Sequence, residues 1–199
     1  SSTEYCKSGS NPTPTISGTT GGTFSSTTGL SINSSTGEID IAASTAGTYT
    51  VSYVTSSNLC AVTGTFDVTI TDDEDGTFTY ASAEYCVSGS DPTPTISGTT
   101  GGTFSSTSGL SINASTGEID LSASTAGTYT VSYLTSSNTC AVTGTFDVTI
   151  TDDEDGTFTY ASTEYCKSGS NPTPTITGTT GGTFSSTAGL SINTSTGEI

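Results

Sequence analysis

One long repeat governs this chain, running from Ser1 to Tyr80 and again from Ala81 to Tyr160. Cys6, Cys86 and Cys166 recur at that interval, and so do Cys60 and Cys140. Residues 1–80 and 81–160 differ at 10 positions, and residues 161–199 differ from 1–39 at only 4 of 39. A chain that copies itself so closely must build one small fold several times over. Each copy buries its own apolar side chains or shares them with a neighbour. The sequence ends at Glu198-Ile199, whose counterpart Glu118-Ile119 opens a strand. The expectation is therefore a stretch of a longer polypeptide or polymer.

The apolar residues of each copy alternate with polar ones, which is the period of a strand with one buried face. In copy two, Tyr129, Val131 and Tyr133 fall on one side and Thr128, Thr130 and Ser132 on the other. Strands are predicted over 77–80 (continuing towards Tyr85-Cys86), 95–97, 103–106, 110–113, 118–122, 128–135 and 140–151. Val142, Phe146, Val148 and Ile150 face inward in the last of these. The segment Asp91-Pro92-Thr93-Pro94 is an extended turn, because proline cannot sit in a central ladder. Glycines at 101–102, 117 and 127 mark further turns, and Ser136-Ser137-Asn138 forms the last loop. Many short strands separated by regular turn signals predict an all-β chain of tandem immunoglobulin-like β-sandwich repeats. Each period makes one sandwich, and the sandwiches follow one another as beads on a string.

The natural boundary is the acidic run Asp72-Asp73-Glu74-Asp75-Gly76, repeated at Asp152-Asp153-Glu154-Asp155-Gly156. On that frame the first unit is 1–72, lacking its first strand. The second, 76–152, is complete. The third, 156–199, lacks its C-terminal half, and with it about half of a core. Linkers occupy 72–76 and 152–156.

Composition excludes several functions. The only basic side chains are Lys7 and Lys167, against 19 acidic residues, for a net charge of −17. Nucleic acid is excluded as a partner, since phosphate binding needs clustered cations. Anionic membrane surfaces repel such a chain, and no apolar run reaches the length of a membrane-spanning helix. Histidine is absent, so no Ser-His or Cys-His nucleophile can form. Glu118 and Asp120 share a strand face and imitate a paired carboxylate, but an exposed polar face explains them as well. A site copied in every repeat is also an odd design for catalysis. The chain is read as a non-enzyme.

The stretches Gly109-Leu110-Ser111-Ile112-Asn113, Ser115-Thr116-Gly117-Glu118-Ile119 and Ala126-Gly127-Thr128-Tyr129-Thr130-Val131 resemble the signature of immunoglobulin/cadherin-like repeats on bacterial surfaces. The whole unit, with its cysteines and Gly-Gly-Thr-Phe, is similar to repeats in giant adhesins of the Bacteroidota, including the gliding-adhesin type. This resemblance implies an extracellular, cell-anchored stalk or filament that spaces a distal tip from the cell. Its partners would be neighbouring repeats of the same chain or fibre, and surface glycans through a tip not seen here. Alternatives are that each repeat is itself a glycan- or ice-binding module, with threonine rows such as Thr128 and Thr130 as the surface, or that the stalk belongs to a large secreted enzyme.

In a surface protein, two cysteines per copy read as a disulfide. Cys6–Cys60 and Cys86–Cys140 are the expected bonds, with the partner of Cys166 beyond the chain end. A Cys60–Cys86 bridge between neighbouring units is the rival. For the acidic linkers two readings stand. Asp72, Asp73, Glu74 and Asp75, with Asp152, Asp153, Glu154 and Asp155, could bind calcium, helped by Asp67 or Glu84. Equally, they could form a solvated, self-repelling spacer. Asn33, Asn113 and Asn193 begin glycosylation sequons at one equivalent turn, where asparagine is also simply a good turn residue. Tyr80, Tyr85 and Tyr160 flank the linkers, and cover either an interdomain contact or the end of their own unit.

Overall fold

The structure, a computed structural model, describes residues 3–57, 59–136 and 139–199. It is all-β, and no helix among the described residues is long and apolar enough to cross a membrane. Two like assemblies of strands follow one another. The first contains β1 (Glu4–Cys6), β2 (Thr23–Ser26), β3 (Ser31–Ile32), β4 (Ile39–Asp40), β5 (Gly47–Val54) and β6 (Thr63–Thr71). The second contains β7 (Phe78–Thr79), β8 (Glu84–Cys86), β9 (Thr95–Ile96), β10 (Thr103–Ser106), β11 (Ser111–Ile112), β12 (Ile119–Asp120), β13 (Gly127–Leu134) and β14 (Thr143–Thr151). Residues beyond them form β15 (Phe158–Thr159) and β16 (Thr175–Ile176). We call these the first module, the second module and the third segment.

Each module is built on its longest hairpin. β13 and β14 pair antiparallel from Gly127↔Ile150 to Leu134↔Thr143. Their Thr, Val and Tyr residues are stiff or bulky side chains that suit a pleated surface. β10 extends the sheet on one side, and β8 adds a parallel edge through Thr149↔Glu84 to Thr151↔Cys86. The opposing layer consists of two short ladders, β7 with β9 and β11 with β12. The chain therefore changes layer between β7 and β8, so one N-terminal segment ties both layers together.

Alternation decides what is buried. Tyr129, Val131 and Tyr133 of β13 are at most 7% exposed, as are Val148 and Ile150 of β14. They pack against Phe78, Phe104, Leu110, Ile119 and Leu121, with Phe146 and Ile96 at the margin. The outward threonines pair across strands, Thr128 with Thr149 at 3.1 Å and Thr130 with Asp147 at 2.7 Å.

The last strand begins at Thr143 rather than at the expected Cys140. Residues up to Val142 belong to the hairpin loop, closed by Thr135 N–H on Val142 O at 3.0 Å and Val142 N–H on Thr135 Oγ1 at 2.8 Å. The threonine hydroxyl takes the donor that would otherwise start the ladder. Ser137 and Asn138 of this loop lie outside the described residues.

Candidate functional site

The junction between the modules is built from two ends of the fold. On the first module, β1 lies parallel to the end of β6, with Cys6 opposite Thr71. On the second module, the β13–β14 loop presents Thr139 and Cys140. Cys6 and Cys140 are joined by a disulfide, with Cα atoms 5.4 Å apart and a sequence separation of 134. Beside it, Glu74 N–H donates to Cys140 O at 3.1 Å, and the Thr139 hydroxyl donates to Glu4 Oε2 at 3.3 Å. Cys140 is 3% exposed. Asp73 and Glu74 are not fully exposed here; Asp73 is half-buried, whereas its copy Asp153 is exposed.

This bond corrects the expected pairing. Cys6 is bonded to Cys140 rather than to Cys60, and Cys60, Cys86 and Cys166 are free thiols. The reason is the length of the sheet. Cys6 sits level with the last residue of β6, and Cys60 precedes its first. The nine residues of β6 hold those ends about 27 Å apart at the rise of an antiparallel strand. A disulfide requires Cα atoms within about 7 Å. Cys86 and Cys140 stand at opposite ends of β14 in the same way. The rival Cys60–Cys86 bond fails too, because those residues lie at the two ends remote from this junction.

The linker carboxylates are spread along the chain and bonded to different neighbours. Among the described residues no group of three or more Asp, Glu, Cys or His side chains converges. Asp73 Oδ1 instead accepts the Ser8 hydroxyl at 2.8 Å, as Asp153 accepts that of Ser88 at 2.7 Å. Asp75 Oδ1 accepts the hydroxyl of Thr77 and, at 2.9 Å, its N–H. Those two bonds lower the carboxyl below its ordinary range, and Thr157 does the same for Asp155. Asp73, Asp75 and their copies each accept hydrogen bonds from nearby donors through Oδ1. Asp67 is on the outer sheet face, accepting Thr50 at 2.7 Å. Glu84 lies in the edge strand β8, opposite Thr149 of β14.

Other candidates resolve into structural parts. Asn33, Asn113 and Asn193 each cap the same turn, with Asn113 Oδ1 accepting Ser115 N–H at 2.9 Å and Thr116 N–H at 3.2 Å. Asp120 caps the next turn through Ala123 N–H at 2.9 Å, while Glu118 stays exposed. Tyr80 is inside its own module and donates to Gly117 O. Tyr85 packs on the same core, and its hydroxyl accepts Ser82 N–H at 2.9 Å. Tyr160 donates to Gly197 O. Lys7, not among the sequence candidates for a site, bonds to the carbonyls of Ile41, Ala42 and Ser44. Nothing in the sequence marked that turn, because the three carbonyls meet only in the folded chain.

A second feature is a groove of about 520 Å³ on the first module, lined by Pro14, Phe24, Gly37, Tyr53 and Phe66 among others. In the second module the same position is filled by Phe78 and Tyr80. The Phe78 ring meets Phe104 at 5.3 Å, Tyr133 at 5.9 Å and Phe146 at 6.3 Å. Filling changes the core around it. Tyr133 and Val131 are fully buried, while their copies Tyr53 and Val51 are half-buried and Phe66 is 49% exposed.

No protein-family model and no curated protein matches the chain. Among solved structures, it is similar to a SusE-like, surface-located polysaccharide-binding protein from the heparin utilisation locus of Bacteroides thetaiotaomicron. That match has 17% identity and a TM-score of 0.33, over 66% of this chain and 29% of that one. It is also similar to mouse cadherin-23 EC22-24, with 14% identity and a TM-score of 0.39, over 98% and 82% of the two chains. Human CDH23 EC21-23 gives 14% and 0.35, over 98% and 90%. The chain thus spans under a third of the first of these proteins.

Proposed function

We propose that this chain is a structural spacer, the stalk of an extracellular adhesin in which successive repeats are stapled end to end. The observation that carries this reading is the Cys6–Cys140 bond, which crosses from one module to the next instead of closing either. A disulfide inside a module would protect that module alone. One between modules constrains their relative position and transmits load along the chain. Its chemistry also suits an oxidising, extracellular compartment. The acidic linker contributes negative charge that discourages association between near-identical units. The outer threonine rows support a binding-module reading less well, because their hydroxyls are paired with one another or with a carboxylate.

The test is small-angle scattering of the full chain, oxidised and reduced, beside Cys140→Ser. The staple predicts one well-defined extended shape for the oxidised protein. Reduction and Cys140→Ser should both broaden the distribution of intermodule distances. Identical scattering from all three samples would remove the spacer reading.

A further inference from the structure

We propose that the turn at 120–124 of the second module is a binding site for a monovalent cation of ammonium size, potassium or ammonium itself. The first module carries the same turn, and there a lysine of the chain supplies the cation.

Lys7 follows β1 and lays its side chain on the turn after β4. Its ammonium donates to the carbonyls of Ile41 at 3.3 Å and Ala42 at 3.2 Å, and to that of Ser44. An ammonium has three N–H donors and no acceptor, so the converging carbonyls use it completely. The cage consists of neutral oxygens whose dipoles face one positive charge. The neighbouring module is in place here, bonded at Cys6, and the cage is still filled from its own module.

The second module builds the turn from matching atoms. Ser124 Oγ donates to Asp120 O at 2.7 Å, as Ser44 Oγ does to Asp40 O at 2.7 Å. That hydroxyl accepts Ser111 N–H at 3.0 Å, as Ser44 accepts Ser31 N–H at 2.9 Å. Asp120 Oδ1 accepts Ala123 N–H at 2.9 Å, and Asp40 Oδ1 accepts Ala43 N–H at 3.1 Å. Both serines are buried, Ser44 at 2% and Ser124 at 8% exposure. The carbonyls of Leu121, Ser122 and Ser124 are therefore fixed by the same frame that gathers those of Ile41, Ala42 and Ser44. A cage organised in advance loses little freedom when an ion enters it.

What differs is the charge. Val87 stands where the first module has Lys7. Its backbone keeps the position, with Val87 N–H donating to Thr151 O at 3.0 Å as Lys7 N–H donates to Thr71 O at 3.0 Å. The valine side chain stops at Cγ and gives the carbonyls no donor. Asp91 also replaces Asn11. It accepts Leu121 N–H at 2.9 Å, where Asn11 accepts Ile41 N–H at 3.0 Å. The exchange removes a positive charge and adds a negative one at a single turn, which raises its attraction for a free cation.

The ligand chemistry selects the ion. Calcium binds tightly where several carboxylates converge, and among the described residues no group of three or more acidic side chains does so. Carbonyl dipoles that surround an ammonium suit a singly charged ion, whose hydration shell they replace.

The oxidised full chain, isotope-labelled for NMR, is titrated with potassium chloride or ammonium chloride, with tetramethylammonium chloride holding the ionic strength constant. The amides of 121–125 should shift and saturate. Those of 41–45, where Lys7 occupies the carbonyls, should stay still. Val87→Lys gives the second module what the first already carries, so it should fold and lose the response. Lys7→Val with Asn11→Asp should bring the response to 41–45. A response to one salt and not the other names the ion and supports the site. The proposal is overturned by the absence of saturable shifts at 121–125, or by equal shifts at both turns of the wild-type chain. Saturation by calcium but by neither monovalent ion overturns it as well.

Discussion

Tyr80 shows how much one side chain does in so small a core. Its ring is 5% exposed and its hydroxyl donates to Gly117 O. Burial, with Tyr85 nearby, raises its phenol well above the ordinary value. The folded-state pKa is therefore above the unfolded one. The stability this supplies is complete below about pH 10 and is lost as pH rises through the folded pKa. Denaturant unfolding of the oxidised chain between pH 8 and 11 should show that decline, and Tyr80→Phe should flatten it. The same substitution removes one hydrogen bond and should cost about 1 kcal/mol at neutral pH. A Tyr80→Phe protein with an unchanged alkaline slope would contradict the assignment. Gly144→Ala drives a methyl against Gly76 O and should cost roughly 1–3 kcal/mol. Circular dichroism melts would report it, and a neutral outcome would mean that the Gly76 backbone does not lie on β14.

Among the elements, the acidic linker and the hairpin loop decide how modules meet. Asp73 and Asp75 accept hydrogen bonds from serine and threonine donors, and among the described residues no group of three or more Asp, Glu, Cys or His side chains gathers at the linker. Millimolar calcium or a chelator should leave the thermal midpoint and the scattering profile unchanged. A midpoint that rises by several degrees with calcium would show that the carboxylates regroup. The loop was legible in the sequence only as turn residues between two strands. Its role as the contact with the neighbouring module was not, because Cys140 read naturally as the start of the last strand.

For the molecule as a whole, the two modules have nearly the same sequence and unequal cores. Among the described residues, eleven buried hydrophobic side chains cluster in the second and six in the first. The difference follows from the Phe78–Tyr80 strand, which has no counterpart among the described residues of the first module. Hydrogen exchange of the monomeric chain should therefore release the amides of β5 and β6 before those of β13 and β14. Equal protection would mean that the groove costs the first module nothing.

Alternation of threonine with valine and tyrosine was enough to place the long hairpins and the face they bury, and the turn residues placed most of the short strands. Those are local properties, set by the period of the strand and by backbone torsion. The regular spacing of the cysteines likewise determined that the fold recurs. Pairing of those cysteines was not local. Cys6 and Cys60, the two thiols of one copy, look like partners until the sheet holds them at opposite ends. Only the tertiary structure decided that Cys6 reaches the next module, because the length of a rigid strand holds the two cysteines of one copy apart.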